Sequence, residues 1–144
     1  RVYFHGPAYR VVEQAWWDGA RMTGLMAKNL PGNHHPPDLP TIMSPRLIEL
    51  CFQSAGLWEL AFQGQLGLPQ HVEEVCVLRS PEIAAGPLYA LVTPQPSQFE
   101  VEVIDADGNI YLQLKGYGTV ALPRGADANA LKALQALTSL QTAA

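Results

Sequence analysis

The run Pro45–Phe62, PRLIELCFQSAGLWELAF, constrains this chain more than any other stretch. It reads as one long helix, and it is apolar on nearly every face. A helix that is hydrophobic all round is buried rather than laid on a surface, so the remaining elements have to wrap it. Ser44 stands in N-cap position, and Pro45 takes the first helical position, where its missing N–H costs nothing. The polar exceptions are Arg46, Glu49, Gln53 and Glu59. Arg46, Glu49 and Gln53 recur at three- and four-residue spacing and therefore share a face. A carboxylate on a buried helix needs a partner or a raised pKa, because an unpaired buried charge is costly. Glu49 therefore reads either as a paired packing residue or as a proton carrier beside a cavity.

Around this helix the sequence punctuates itself clearly. Val11–Trp17 and Arg21–Leu30 flank Asp18-Gly19, the strongest short-range hairpin signal in the chain. A helix is the alternative for Val11–Trp17, since VVEQAWW does not alternate strictly. Pro31–Pro45 carries five prolines together with His34, His35 and Asp38, so it is an irregular connection delivering the chain to the helix. Gly64 and Gly67-Leu68-Pro69 close the helix and its tail. Strands are then expected over His71–Arg79, Pro87–Thr93, Gln98–Ile104 and Asn109–Leu122, with a tight turn at Asp105–Asn109. Gly116 and Gly118 mark a bulge or sharp bend in the last strand. Asp127–Leu140 reads as a terminal helix or a linker. The order of strand pair, buried helix and further antiparallel strands predicts an α+β chain with one sheet curled about one helix.

Composition narrows the class. At 144 residues the chain is one domain by size, with 48% apolar and only 15% charged residues. That light charge points to surface covered by another domain or subunit. A net charge of −4 with scattered basic residues argues against a nucleic-acid partner. Cys51 and Cys76 read as small buried hydrophobes. His34, His35 and Asp38 are too few to read as a metal site. No signal peptide and no apolar run of membrane-span length is visible, so a cytoplasmic location without membrane contact is expected. The chain opens at Arg1 within domain-like sequence and reads as part of something longer.

Three motifs, in order, carry a family resemblance. HGPAYR at His5–Arg10 resembles a Gly-Pro-x-aromatic loop. SPRLIELCFQ resembles an HPxLLDxxxQ helix start, with Pro45 at the proline, Glu49 in the aspartate's place and Gln53 at the Gln or His. QFEVEVIDADGNIYLQLKGYGTVAL, Gln98–Leu122, resembles paired strands about a D-x-x-G turn. Together they make the chain similar to the polyketide synthase dehydratase domains. The resemblance implies a hot-dog fold, a curved antiparallel sheet wrapped around a long central helix. It covers residues 1–123, read as the C-terminal half of a double hot dog, with 124–144 as a terminal helix or linker to a following domain. ELCFQSAG is also similar to the E-x-x-x-Q helix of the single-domain hydroxyacyl dehydratases of fatty acid synthesis. There a catalytic histidine precedes the glutamate by fourteen residues, the spacing of His35 from Glu49 here. Two departures stand out: Ser44 replaces the family's histidine, and Glu49 is longer than aspartate.

The implied function is dehydration of a β-hydroxyacyl thioester to an enoyl thioester, a hydro-lyase reaction of polyketide or fatty acid assembly. Such a reaction needs a base for the α-proton and an acid for the leaving hydroxyl. The resemblance gives Glu49 the acid's role. The base is His35, or a histidine supplied from outside the chain by an N-terminal hot-dog half or a second identical subunit. Gln53, Pro45, His5 and Tyr9 are the candidate substrate-binding residues. No cofactor is expected to bind directly, since the substrate rides on the phosphopantetheine arm of an acyl carrier protein, the implied partner. A product-template or double-bond isomerase domain, and a hot dog kept for structure alone, are the competing readings.

Overall fold

The computed structural model describes residues 5–37 and 39–122. Among these residues, seven strands and one long helix follow one another. They are β1 (Val12–Trp17), β2 (Met22–Met26), α1 (Pro45–Phe62), β3 (Gly67–His71), β4 (Glu74–Val77), β5 (Tyr89–Pro94), β6 (Phe99–Ile104) and β7 (Ile110–Ala121). The sheet runs in the order β1-β2-β5-β6-β7-β3, and β4 pairs with β7 beside β3. Every pairing is antiparallel. The curved sheet packs against α1, which is the hot-dog arrangement the sequence implied.

The hairpins form where the local chemistry demands them. Asp18 Oδ1 accepts bonds from the backbone N–H groups of Ala20 at 2.9 Å and Arg21 at 2.7 Å, while Gly19 supplies a φ of 97°. That turn joins β1 to β2, so Val11–Trp17 is the strand and not the alternative helix. Asp105 works the same way between β6 and β7. Its carboxylate accepts from the backbone of Asp107 and Asn109 and from the Asn109 side chain, and Gly108 takes a φ of 81°. Along β6 the buried Phe99, Val101 and Val103 alternate with Glu100 and Glu102 on the outer face, as a half-buried strand requires. Gly116, at φ 61°, marks the bulge read from the sequence. Between the pairs Phe99–Tyr117 and Val101–Leu114, β7 holds one more residue than β6.

Two local expectations change. Gly67-Leu68-Pro69 is not a helix tail: Gly67–His71 is a strand of its own, β3, and the strand read over His71–Arg79 shortens to β4, Glu74–Val77, both on β7. Pro69 is tolerated there because, among the described residues, β3 ends the sheet, where a proline has no outer neighbour to which it must donate. Ser44 holds the N-cap position without capping through its side chain. It adopts a left-handed conformation, φ 49°, and only its carbonyl serves the helix, accepting from Leu47 and Ile48. The terminal helix expected over Asp127–Leu140 lies outside the described residues.

α1 starts and ends where its sequence said, and its apolar character is used on almost every side. Leu47, Leu50, Cys51, Ser54 and Ala55 are fully buried, and Phe62 is the exposed residue of the helix. Opposite them lie Met22, Ala90, Val92, Val101, Val103, Leu112 and Leu114 from the sheet. The close approach occurs at Gly24 of β2, where any side chain would run into Ser54. Phe52 stacks on Tyr117 at 4.6 Å, and Phe99 lies between Tyr117 and Trp58, so an aromatic column ties the helix to β6 and β7. Cys51 is buried as expected, whereas Cys76 is half-buried and donates to Glu74 at 2.8 Å. Among the described residues, no helix is long and apolar enough to cross a membrane.

Candidate active site

The polar face of α1 meets the first loop of the chain. Gly6-Pro7 opens a short 3-10 turn, Pro7–Tyr9, closed by Tyr9 N–H donating to Gly6 O at 3.0 Å. Proline fixes the turn's first φ, and the turn exposes successive carbonyls toward the helix. Gln53 Nε2 donates to Tyr9 O at 2.7 Å, and Arg46 Nε donates to Ala8 O at 3.1 Å. Held this way, the loop brings His5 over α1. His5 Nε2 lies 3.0 Å from Glu49 Oε1. Gln53 Nε2 also donates to that same oxygen, at 2.8 Å.

The pair is shielded without being sealed, with side chains 31% exposed for His5 and 18% for Glu49. Desolvation pushes the Glu49 carboxyl above its ordinary pKa, against the opposing pull of the Gln53 hydrogen bond and the His5 charge. Both neighbours converge on the same oxygen, Oε1. A carboxyl held toward its acid form and an imidazole in direct contact form a proton donor and acceptor in one place.

The other candidates are distributed differently. Tyr9 gives its carbonyl to Gln53, and its hydroxyl accepts from Asn33 Nδ2 at 3.3 Å. Pro45 lines a cavity of about 590 Å³ at the start of α1, together with Asn33, His34, Ser44, Arg46 and Glu82. His35 is exposed in the proline-rich connection, and among the described residues no hydrogen bond or ion pair joins it to Glu49. The histidine that meets Glu49 is His5, which the sequence reading had assigned only to the lining. Its signal was the Gly-Pro turn, which marks a loop with a fixed direction but not the element it faces. Among the described residues, no group of three or more His, Cys, Asp or Glu could hold a metal ion.

Comparison with known proteins places the chain. The family model of the polyketide synthase dehydratase N-terminal domain matches residues 1–129. The chain belongs to the polyketide synthase dehydratase family. The match corrects one expectation: the matching dehydratase model is that of the N-terminal domain, not of a C-terminal half. The SPRLIELCFQ run does not distinguish the two halves. A proline-entered, all-apolar helix is what any single hot dog needs, because its sheet has to wrap something, so the run specifies the fold and not the half.

Solved dehydratases share that fold. The dehydratase domain from the CurF module of curacin polyketide synthase superposes with a TM-score of 0.59 at 16% identity, over 82% of this chain and 42% of that one. An inactive CurK dehydratase with an aspartate changed to asparagine gives 0.58 at 17% identity, over 83% and 43%. A second inactive CurK form, with a histidine changed to phenylalanine, gives 0.59 at 15% identity, over 87% and 43%. The chain thus spans less than half the length of the structures it matches. No curated protein matches the sequence.

Proposed function

We propose that this domain catalyses dehydration of a β-hydroxyacyl thioester, with His5 and Glu49 as the proton-transferring pair. The observation that carries the reading is the 3.0 Å contact between His5 Nε2 and the partly desolvated carboxyl of Glu49, at Oε1. Support comes from the CurK dehydratase, where an Asp→Asn and a His→Phe change each give an inactive mutant. A histidine and a carboxylate are the two groups brought together here.

In the reactive form the imidazole is neutral and the carboxyl is protonated. Substrate opens the direct contact, so that each group faces its own proton. His5 takes the α-proton, and the C–H electron pair becomes the new C=C bond. The β-C–O bond breaks, and the leaving oxygen takes the Glu49 proton and departs as water. Imidazolium and carboxylate remain as a charge pair, and return of the proton from His5 Nε2 to the Glu49 carboxylate restores the start. Burial assists because it keeps Glu49 a competent acid. Gln53 holds the carboxyl in place by donating to Oε1.

The thioester in this reading is presented on the phosphopantetheine arm of an acyl carrier protein, and a second hot-dog half or a second identical subunit completes the walls. The reaction class is tested with the full-length protein and β-hydroxyacyl carrier-protein substrates, by following enoyl product. Glu49→Gln keeps the shape and the hydrogen-bonding capacity of the side chain but removes its exchangeable acid proton. Turnover reduced about 100-fold or more supports the assignment. Turnover equal to wild type removes Glu49 from the chemistry.

A further inference from the structure

Arg46 occupies an unusual place beside the pair. It precedes Glu49 by three residues on α1, as Gln53 follows it by four, so all three share one helical face. Arg46 Nε donates to Ala8 O at 3.1 Å, and Gln53 Nε2 donates to Tyr9 O at 2.7 Å. Two successive carbonyls of the His5 loop are thus captured by side chains on either side of Glu49. The same guanidinium donates through Nη2 to Pro31 O, at the head of the proline-rich connection. Asn33 of that connection reaches back to the Tyr9 hydroxyl at 3.3 Å. Arg46 also forms part of the wall of the cavity at the start of α1. One planar cation therefore ties together the helix, the loop that carries His5 and the connection that lines the cavity.

From this geometry we propose that Arg46 is a positioning residue that fixes His5 against Glu49, acting through the Ala8 carbonyl and not on substrate. A guanidinium suits the task better than an ammonium, because its rigid fork bonds two carbonyls in different directions at once. The proposal rests on the His5–Glu49 reading for its catalytic consequence, while the placement of His5 is measurable without any turnover.

The test uses the full-length protein in four forms: Arg46→Met, Arg46→Lys, His5→Asn and the Arg46→Met/His5→Asn double variant. In Arg46→Met, kcat is expected to fall about 10- to 100-fold with KM changed less, as for a misplaced catalytic group. On the His5→Asn background the same change should cost less than about 2-fold, since its effect passes through His5. Where His5→Asn itself lowers kcat, equal cost of the Arg46 change on both backgrounds, or full activity of Arg46→Met, overturns the proposal. Arg46→Lys keeps the charge but cannot bridge both carbonyls, so it is expected to lose part of kcat and serves if Arg46→Met does not fold. The second readout is the ring ¹⁵N resonance of His5 Nε2 at fixed pH. It should move toward the free-imidazole position in both Arg46 variants, and an unmoved resonance overturns the proposal. If His5→Asn and Glu49→Gln both keep full turnover while that resonance moves, the functional reading fails and the positioning role stands.

Discussion

Glu49 Oε1 receives two side chains at once, His5 Nε2 at 3.0 Å and Gln53 Nε2 at 2.8 Å. The first comes from a loop at the start of the chain and the second from the next turn of the same helix. Both oppose the effect of burial on its protonation. Burial raises the carboxyl's pKa, while the Gln53 bond and the His5 charge lower it. The proposed role as proton carrier needs this balance, because a fully isolated carboxyl would hold its proton too tightly to release it.

Gln53→Met removes the bond that favours the ionised form. The Glu49 pKa then rises further, and the acid form persists to higher pH. In a pH profile of kcat, loss of activity on the alkaline side should begin at higher pH than in wild type. The maximal rate should also fall, since Tyr9 O loses its partner. An alkaline limb that stays put, or moves to lower pH, contradicts the assignment of that limb to Glu49.

Glu59 is the fully enclosed carboxyl of α1, only 3% exposed, with Thr119 Oγ1 donating to it. Burial raises its pKa above the usual carboxyl value, against the bonds from Thr119 and the Gly67 backbone. At low pH both folded and unfolded chains are protonated there, and its stability contribution is complete. As pH rises through the ordinary carboxyl range, the unfolded chain ionises first, so stability falls until the folded carboxyl ionises as well. Glu59→Gln removes this loss. Urea unfolding across that range should show the variant gaining on wild type with increasing pH. A constant difference would show that Glu59 titrates alike in both states.

Leu50 is fully buried at the centre of the core, facing β2. Leu50→Ala deletes buried methyl groups and leaves a cavity under the sheet, at a cost of about 2–5 kcal/mol. Denaturant unfolding of variant and wild type at one pH measures the difference. A loss below about 1 kcal/mol would mean that helix and sheet close up around the gap.

Local chemistry was the readable part of this chain. Pro45–Phe62 is helical over its full expected length because its apolar spacing and its starting proline act within the segment itself. The turns at Asp18-Gly19 and Asp105–Asn109 carry their own acceptors and glycines, so they too needed no tertiary information. β3 was missed because Pro69 usually breaks a strand and is accepted here only at the end of the sheet, a property set by strands far along the chain. The meeting of His5 with Glu49 was missed for the same kind of reason. The fourteen-residue spacing drew attention to His35, but a proline-rich connection has no fixed length in space, and His35 ends on the surface. His5 meets Glu49 in a loop whose backbone is bonded by Arg46 and Gln53 of the helix and by Arg10 of the loop itself, partners that no local pattern announces. The family was legible from three motifs together, whereas the half of the dehydratase was not, because both the helix and the hairpin belong to the single hot dog.

The most direct measurement is the turnover of His5→Asn beside His35→Asn, in the full-length protein with a β-hydroxyacyl carrier-protein substrate. Loss of a general base costs about 10²–10⁴-fold. His5→Asn should fall by that amount, while His35→Asn, altered only at the surface, should keep the wild-type rate. A His5→Asn enzyme at full rate, with His35→Asn inactive, would contradict the account and return the base to the proline-rich connection.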